Sequence, residues 1–273
     1  IELLTYDEPG NIQIASVASV PYRILTGNIE IPRLHKPPRK ETKKMIKSDN
    51  ISDNKKHTTD PIYKSDNRNA TAPSDARLEN RKLRLAILGA GGIARKMAET
   101  VNRMEEVELY AVASRTEEKA RQFSDTYHAS KWYGSYEEMV ADDGIDLVYV
   151  ATPHSHHKEH TMLCLNHNRA VLCEKAFAVN TKEAEDMIRL AKEKNILLAE
   201  AMWVRYMPMS FTLKEIIDSD VIGKITGLTA NLGYSLMQVE RLIRPELAGG
   251  ALLDLAPYTL NFATWVLGDN VSA

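Results

Sequence analysis

Apolar residues in this chain fall into short runs, and the stretches between them carry apolar positions three or four apart. Runs of strand length occupy residues 82–88, 107–113, 131–133, 145–152, 170–173 and 196–201, and residues 116–127, 135–141, 156–166 and 181–194 have helical spacing. Strand and helix alternating in this way predict a doubly wound parallel sheet, an α/β Rossmann architecture whose ligands lie beyond the carboxyl ends of the strands. Past Trp203 the rhythm changes to a helix near 211–219, a long strand over 224–235, a loop, and a helix over 249–267 entered through glycine. That order predicts a partial α+β substrate domain with an open, mainly antiparallel sheet. Residues 1–35 alternate like strands, at 1–6, 12–20 and 22–31, with turn residues between them. Residues 36–81 are Lys, Asn, Asp, Thr and Pro with almost nothing to form a core. The chain therefore divides into strands over 1–35, a flexible linker over 36–81, a dinucleotide-binding domain over 82–202 and an incomplete substrate domain over 203–273.

The first parallel strand empties into Gly89-Ala90-Gly91-Gly92-Ile93-Ala94. Gly89 permits a tight turn and Gly91 lets the backbone approach a pyrophosphate. Gly92 and Ile93 open the helix whose amides face the phosphates, and Ala94 is small enough for that helix to pack close on the strand. Such a turn alone is also an ordinary strand-to-helix connection. The second strand makes the difference, because it ends in Ser114-Arg115 and not in the acidic residue that would take a ribose diol. A hydroxyl and a guanidinium suit the 2′-phosphate of NADP.

Composition narrows the classes without naming one. The chain has 273 residues, 44% of them hydrophobic, and a formal net charge of −2. That accommodates one large or two moderate globular domains and gives no general reason to bind nucleic acid. No apolar run approaches the roughly 20 residues of a spanning helix, and no signal-peptide pattern opens the chain, so a cytoplasmic location away from membranes is expected. The basic cluster over 39–44 reads as solvated linker. Cys164 and Cys173 read as reduced, partly buried thiols. His154, His156, His157 and His160 invite a zinc reading, but zinc needs a third ligand and an open position, and no metal is expected.

Candidate chemistry collects at the strand ends: Thr152-Pro153-His154-Ser155-His156-His157, then Glu174-Lys175-Ala176, then Gly249-Gly250 through Asp254 to Tyr258, the last two one helical turn apart. At these residues the chain resembles the glucose-fructose oxidoreductase and inositol dehydrogenase family (Gfo/Idh/MocA) over about residues 82–273. The family's Glu-Lys-Pro appears as Glu174-Lys175-Ala176, its Thr-Pro-Asn-x-x-His as Thr152 to His157, and its Gly-Gly-x-x-x-Asp-x-Gly-x-His as Gly249-Gly250 to Tyr258. Ala176 stands where the family has proline, and Ala256 where it has glycine. Tyr258 in place of histidine, with His154, His157 and Trp203, resembles the dihydrodiol dehydrogenase group. Residues 10–32 resemble strands that the family places after the Asp254-Tyr258 helix, which leaves a circular permutant, the tail of a fused preceding copy and a faulty gene model as alternatives.

The resemblance implies an NADP-dependent oxidoreductase that moves hydride between nicotinamide and a secondary alcohol of a cyclic diol or sugar, such as a trans-dihydrodiol or D-xylose. It also implies a small polyol or sugar as partner and a homodimer formed through the second-domain sheet. Tyr258 is then the proton acceptor, with Lys175 lowering its pKa and donating to the substrate oxygen, or the two exchange roles. Asp254 orients, and His157 contacts substrate or relays. Trp203, Arg205 and His154 line the substrate side. Gly89, Gly91, Gly92, Ile93, Ala94, Ser114, Arg115, Thr152, Pro153, His154, Glu174 and Lys175 face the cofactor. The alternative is a catalytically weak dinucleotide-binding or regulatory protein.

Overall fold

The computed structural model describes residues 5–6, 12–13 and 81–268. The chain separates into one unit of residues 1–19 with 77–273 and another of residues 20–76, and every described residue belongs to the first. Thr5–Tyr6 (β1) and Ile12–Gln13 (β2) pair antiparallel. The rest of the 1–35 strand reading and the 36–80 linker lie outside the described residues.

A six-stranded sheet carries the first unit. Its strands are Leu83–Leu88 (β3), Val107–Ala113 (β4), Lys131–Tyr133 (β5), Leu147–Val150 (β6), Ala170–Cys173 (β7) and Leu198–Glu200 (β8), all parallel in the order β5-β4-β3-β6-β7-β8. Period-two side-chain direction sorts the core, interrupted in β4 where a register shift against β3 puts Tyr110 and Ala111 on one face. Leu85, Ile87, Leu109, Val112 and Tyr149 join the buried faces of helices Gly92–Val101 (α1) and Glu117–Tyr127 (α2). Ala86, Leu88, Ala111, Val148 and Val150 face the other way, onto Tyr136–Val140 (α3), His157–Asn166 (α4) and Thr181–Lys194 (α5). Strands buried on both faces read as near-continuous apolar runs, which is why β3, β4 and β6 stand out in the sequence. Cys164 and Cys173 are free, buried thiols within this core, their pKa values pushed up to about 12 by burial.

Strand order reverses between β3 and β6, the switch point beside which sheets of this kind leave a ligand crevice. Gly89, at φ +104°, turns the chain out of β3 into it. A Cβ at Gly89 would stand 2.9 Å from Thr152 Cγ2 and 3.1 Å from the Ala151 carbonyl oxygen, at the end of β6, so the two loops can approach this closely only with glycine there.

Beyond β8 the chain forms Pro208–Asp218 (α6), Glu240–Ile243 (α7), Ala251–Asp254 (α8) and Ala256–Leu267 (α9). The single helix expected over 249–267 is broken at Leu255, because Pro257 has no N–H to return to the preceding turn and sits instead in the first turn of α9. Residues 224–235, read as a long strand, form no ladder among the described residues and are mostly exposed. A strand needs a neighbour to exchange backbone hydrogen bonds with, and none of the described segments pairs with this one.

Candidate active site

The crevice places four of the expected side chains together. Lys175 leaves the end of β7 and donates from Nζ to Asp254 twice, to the backbone oxygen at 2.7 Å and to Oδ1 at 2.9 Å. Its ammonium also lies 4.9 Å from the centre of the Tyr258 ring. Both residues of the Asp254-Tyr258 pair thus meet Lys175 despite the break between α8 and α9. His154, in the 3-10 turn after β6, has Nδ1 3.0 Å from the Ala248 carbonyl oxygen and Nε2 4.0 Å from Asp254 Oδ1. A carbonyl only accepts, so Nδ1 carries the hydrogen and Nε2 presents a lone pair toward the site.

Glu174 lies beneath these groups. It accepts from the Tyr149 hydroxyl and, at 3.1 Å, from the Lys175 amide. Burial pushes its carboxyl pKa up against those two bonds, and Glu200, which accepts from the Phe177 amide at 3.2 Å, is raised by burial as well. The Lys175–Ala176 peptide bond is cis, and Ala176 is buried.

Two expectations need correction. His157 is fully buried, with Nδ1 2.7 Å from the Ala176 carbonyl oxygen and Nε2 2.9 Å from that of Thr152. Both nitrogens face backbone carbonyls under the site and neither is turned to a substrate, and the neutral ring, with a single N–H, donates to only one of the two. Burial lowers its pKa to about 4 against those contacts, so the ring is neutral. Tyr258 is also unlike its expectation, since its pKa is raised. Burial disfavours the phenolate, and the carboxylates of Glu174 and Asp254 add to that, with only the Trp203 hydrogen bond opposing. Lys175 donates to Asp254 and not to the Tyr258 hydroxyl.

Trp203 donates from Nε1 to the Tyr258 hydroxyl at 3.2 Å, and Arg205 donates from Nε to Asn261 at 2.9 Å. Sequence reading missed Arg241, whose Nη1 lies 3.2 Å from Asp254 Oδ1. Burial acts to raise the Asp254 pKa, but the hydrogen bond and charge of Lys175, with the charge of Arg241, outweigh it and hold the carboxyl below its ordinary value. The one signal for Arg241 is a basic residue shortly before the Gly249-Gly250 pair, and the short helix that aims it cannot be read from periodicity.

At the cofactor end, α1 begins at Gly91 without a side-chain cap, which leaves first-turn amides free for an anion, and Ala94 is fully buried against the sheet. Gly92 and Ile93 are exposed at that turn. Ser114 is buried, with its amide bonded to Tyr133, and Arg115 is exposed at the tip of β4. The Thr152 hydroxyl pairs with His160 at 2.9 Å, and Pro153 opens the turn that carries His154. No group of three His, Cys, Asp or Glu among the described residues could hold a metal ion, and no described helix is long and apolar enough to cross a membrane.

Comparison with known proteins finds matches in both parts of the chain. Residues 83–202 match the oxidoreductase family with NAD-binding Rossmann fold, and residues 211–273 match the GFO/IDH/MocA C-terminal domain. D-xylose 1-dehydrogenase (NADP(+)) of Hypocrea jecorina is 40% identical over 207 residues, covering 67% of this chain and 52% of that protein. Trans-1,2-dihydrobenzene-1,2-diol dehydrogenase of Danio rerio is 36% identical over 186 residues, covering 67% and 56%. Among solved structures, KijD10, a 3-ketoreductase of Actinomadura kijaniata in complex with NADP and TDP-benzene, superposes with a TM-score of 0.62 at 26% identity, over 69% of this chain and 58% of that one. The chain spans about half the length of the curated relatives it matches.

Proposed function

Because the chain belongs to the Gfo/Idh/MocA oxidoreductase family, we propose that it is an NADP-dependent dehydrogenase acting on a secondary alcohol of a sugar or cyclic diol. The convergence of Lys175, Asp254, Tyr258 and His154 beside the Gly89 turn carries this reading, since hydride transfer needs a proton-handling group and the cofactor at one carbon. The names of the relatives, a xylose dehydrogenase and dihydrodiol dehydrogenases, support the substrate class.

The residues present fit a dinucleotide. Uncapped amides at the start of α1 suit a pyrophosphate, and an exposed arginine where an acidic residue would repel a 2′-phosphate favours NADP. When bound, its nicotinamide supplies the hydride acceptor. Lys175 donates to the substrate oxygen, with Asp254 fixing the ammonium and the His154 Nε2 lone pair accepting from a neighbouring hydroxyl. Tyr258, whose raised pKa keeps it protonated at neutral pH, gives its proton to a carbonyl oxygen in reduction, and only its phenolate form takes the alcohol proton in oxidation. Trp203 orients that hydroxyl and offers an apolar platform to a ring substrate. The open antiparallel sheet in the second domain, a homodimer formed through it, and a cytoplasmic location belong to the same proposal.

Fluorescence titration and turnover test it together. NADPH is expected to bind better than NADH, and NADP is expected to be reduced with D-xylose or a trans-dihydrodiol. Arg115→Ala should weaken NADPH more than tenfold, about 1.5–3 kcal/mol, while leaving NADH nearly unchanged. Equal loss for both nucleotides defeats the NADP assignment. Tight NADPH binding without turnover on any polyol favours the catalytically weak binding protein. One observation leans that way: no apolar side chain beyond Met202 is fully buried among the described residues.

A further inference from the structure

Asp254 Oδ1 is reached by two cations from different elements, Lys175 Nζ at 2.9 Å from the end of β7 and Arg241 Nη1 at 3.2 Å from α7. One ammonium neutralises one carboxylate, so Arg241 exceeds what a simple ion pair requires. Its placement is also built into the backbone. The Gly250 amide donates to the Leu242 carbonyl at 2.8 Å, and the Gly249 amide donates to the Arg244 carbonyl at 3.2 Å. A Cβ at Gly249 would stand 2.6 Å from the Leu242 carbonyl oxygen and 2.8 Å from that of Arg241. Backbone atoms cannot yield as the end of a flexible side chain can, so α7 lies on the glycine pair only because Gly249 has no side chain.

We propose that Arg241 is a positioning residue, seated by Gly249, that keeps the Asp254 carboxylate charged and in place while the Lys175 ammonium turns toward the substrate oxygen. The use made of Lys175 rests on the dehydrogenase reading, whereas the effect on Asp254 stands apart from turnover. Four groups face the carboxylate: Lys175 from β7, Arg241 from α7, His154 from the turn after β6 and Tyr258 from α9. His154 is held toward its neutral form, chiefly by burial, and Tyr258 keeps its proton, so the two cations alone favour the ionised acid.

The direct test is a ¹³Cγ-aspartate NMR titration of the full chain from pH 7 downward, with the Asp254 signal assigned by Asp254→Asn. Arg241→Met, which keeps the apolar stem, should raise the Asp254 midpoint by about one pH unit. Gly249→Ala should do the same by displacing α7, and the double variant should shift no further than either single one. Glu246→Gln, at the exposed Arg244–Glu246 pair of the same loop, should leave the midpoint alone. Arg241→Lys keeps a cation and should restore most of the wild-type titration. It is also the variant to read if the methionine one does not fold. An unshifted midpoint in folded Arg241→Met, or a lysine variant as displaced as the methionine one, overturns the role of Arg241. Additive shifts from Gly249→Ala and Arg241→Met overturn the seat. Absent turnover on every polyol with these shifts intact defeats the dehydrogenase reading and leaves the inference standing.

Discussion

At the scale of single residues, the proton is the sensitive object. A tyrosine with a raised pKa holds its proton well in carbonyl reduction and accepts one poorly at neutral pH. Alcohol oxidation is therefore expected to quicken as pH climbs from 7 toward 10, whereas reduction stays level while Tyr258 keeps its proton. A flat oxidation profile over that range would remove Tyr258 from proton transfer. Tyr258→Phe and Lys175→Ala should each lower turnover at least about a hundredfold while NADPH titration is nearly unchanged. His157 yields a stability prediction in place of a catalytic one. Its folded pKa, near 4, is depressed below the unfolded value of about 6.5, so the unfolded chain binds the extra proton first. Its contribution is complete above about pH 7 and falls by roughly 3 kcal/mol as pH drops to 4. Melting curves should show that loss, and His157→Gln should flatten it. The sequence suggests a chemical task for this histidine because nothing in its neighbours reveals that two backbone carbonyls, one of them 19 residues away, will close over the ring.

At the scale of elements, the turn after β3 joins the proposed nucleotide site to the sheet. Gly89→Ala meets both a positive φ and the Thr152 methyl group, a strain of about 1–3 kcal/mol. Lower thermal stability together with weaker NADPH binding is the expected outcome, and unaltered affinity would mean the crevice tolerates a wider loop separation. β4, β5, β7 and α5 begin and end where the apolar pattern places them, because each is specified by its own residues packing on a sheet buried on both faces. Residues 224–235 carry a strand-like pattern too, yet a strand is a relation between two segments, and a pattern within one segment is silent about the second. Arg241 was illegible for a similar reason: its partner lies 13 residues on, across a loop whose course depends on Gly249. Lys175, Asp254 and Tyr258 were legible because strand ends and one-turn spacing are local properties.

At the scale of the whole molecule, apolar burial is unequal. Both hydrophobic clusters are built from residues between Leu83 and Ala201, whereas Tyr206, Met209, Phe211, Met237, Leu252 and Leu260 are largely exposed. Hydrogen exchange should follow this division, with the slowest amides in β3, β4 and β6 and the fastest across 224–235. Slow exchange over 224–235 would point to a pairing partner for that segment. The two-pronged grip of Lys175 on Asp254 spans 79 residues of sequence. During synthesis, a chain that has emerged only as far as Met202 already contains both clusters and the Gly89 turn, but not the carboxylate that holds the ammonium. On the proposed reading, nucleotide capture precedes completion of the chemical centre, and a nascent protein holds its coenzyme before it is able to use it.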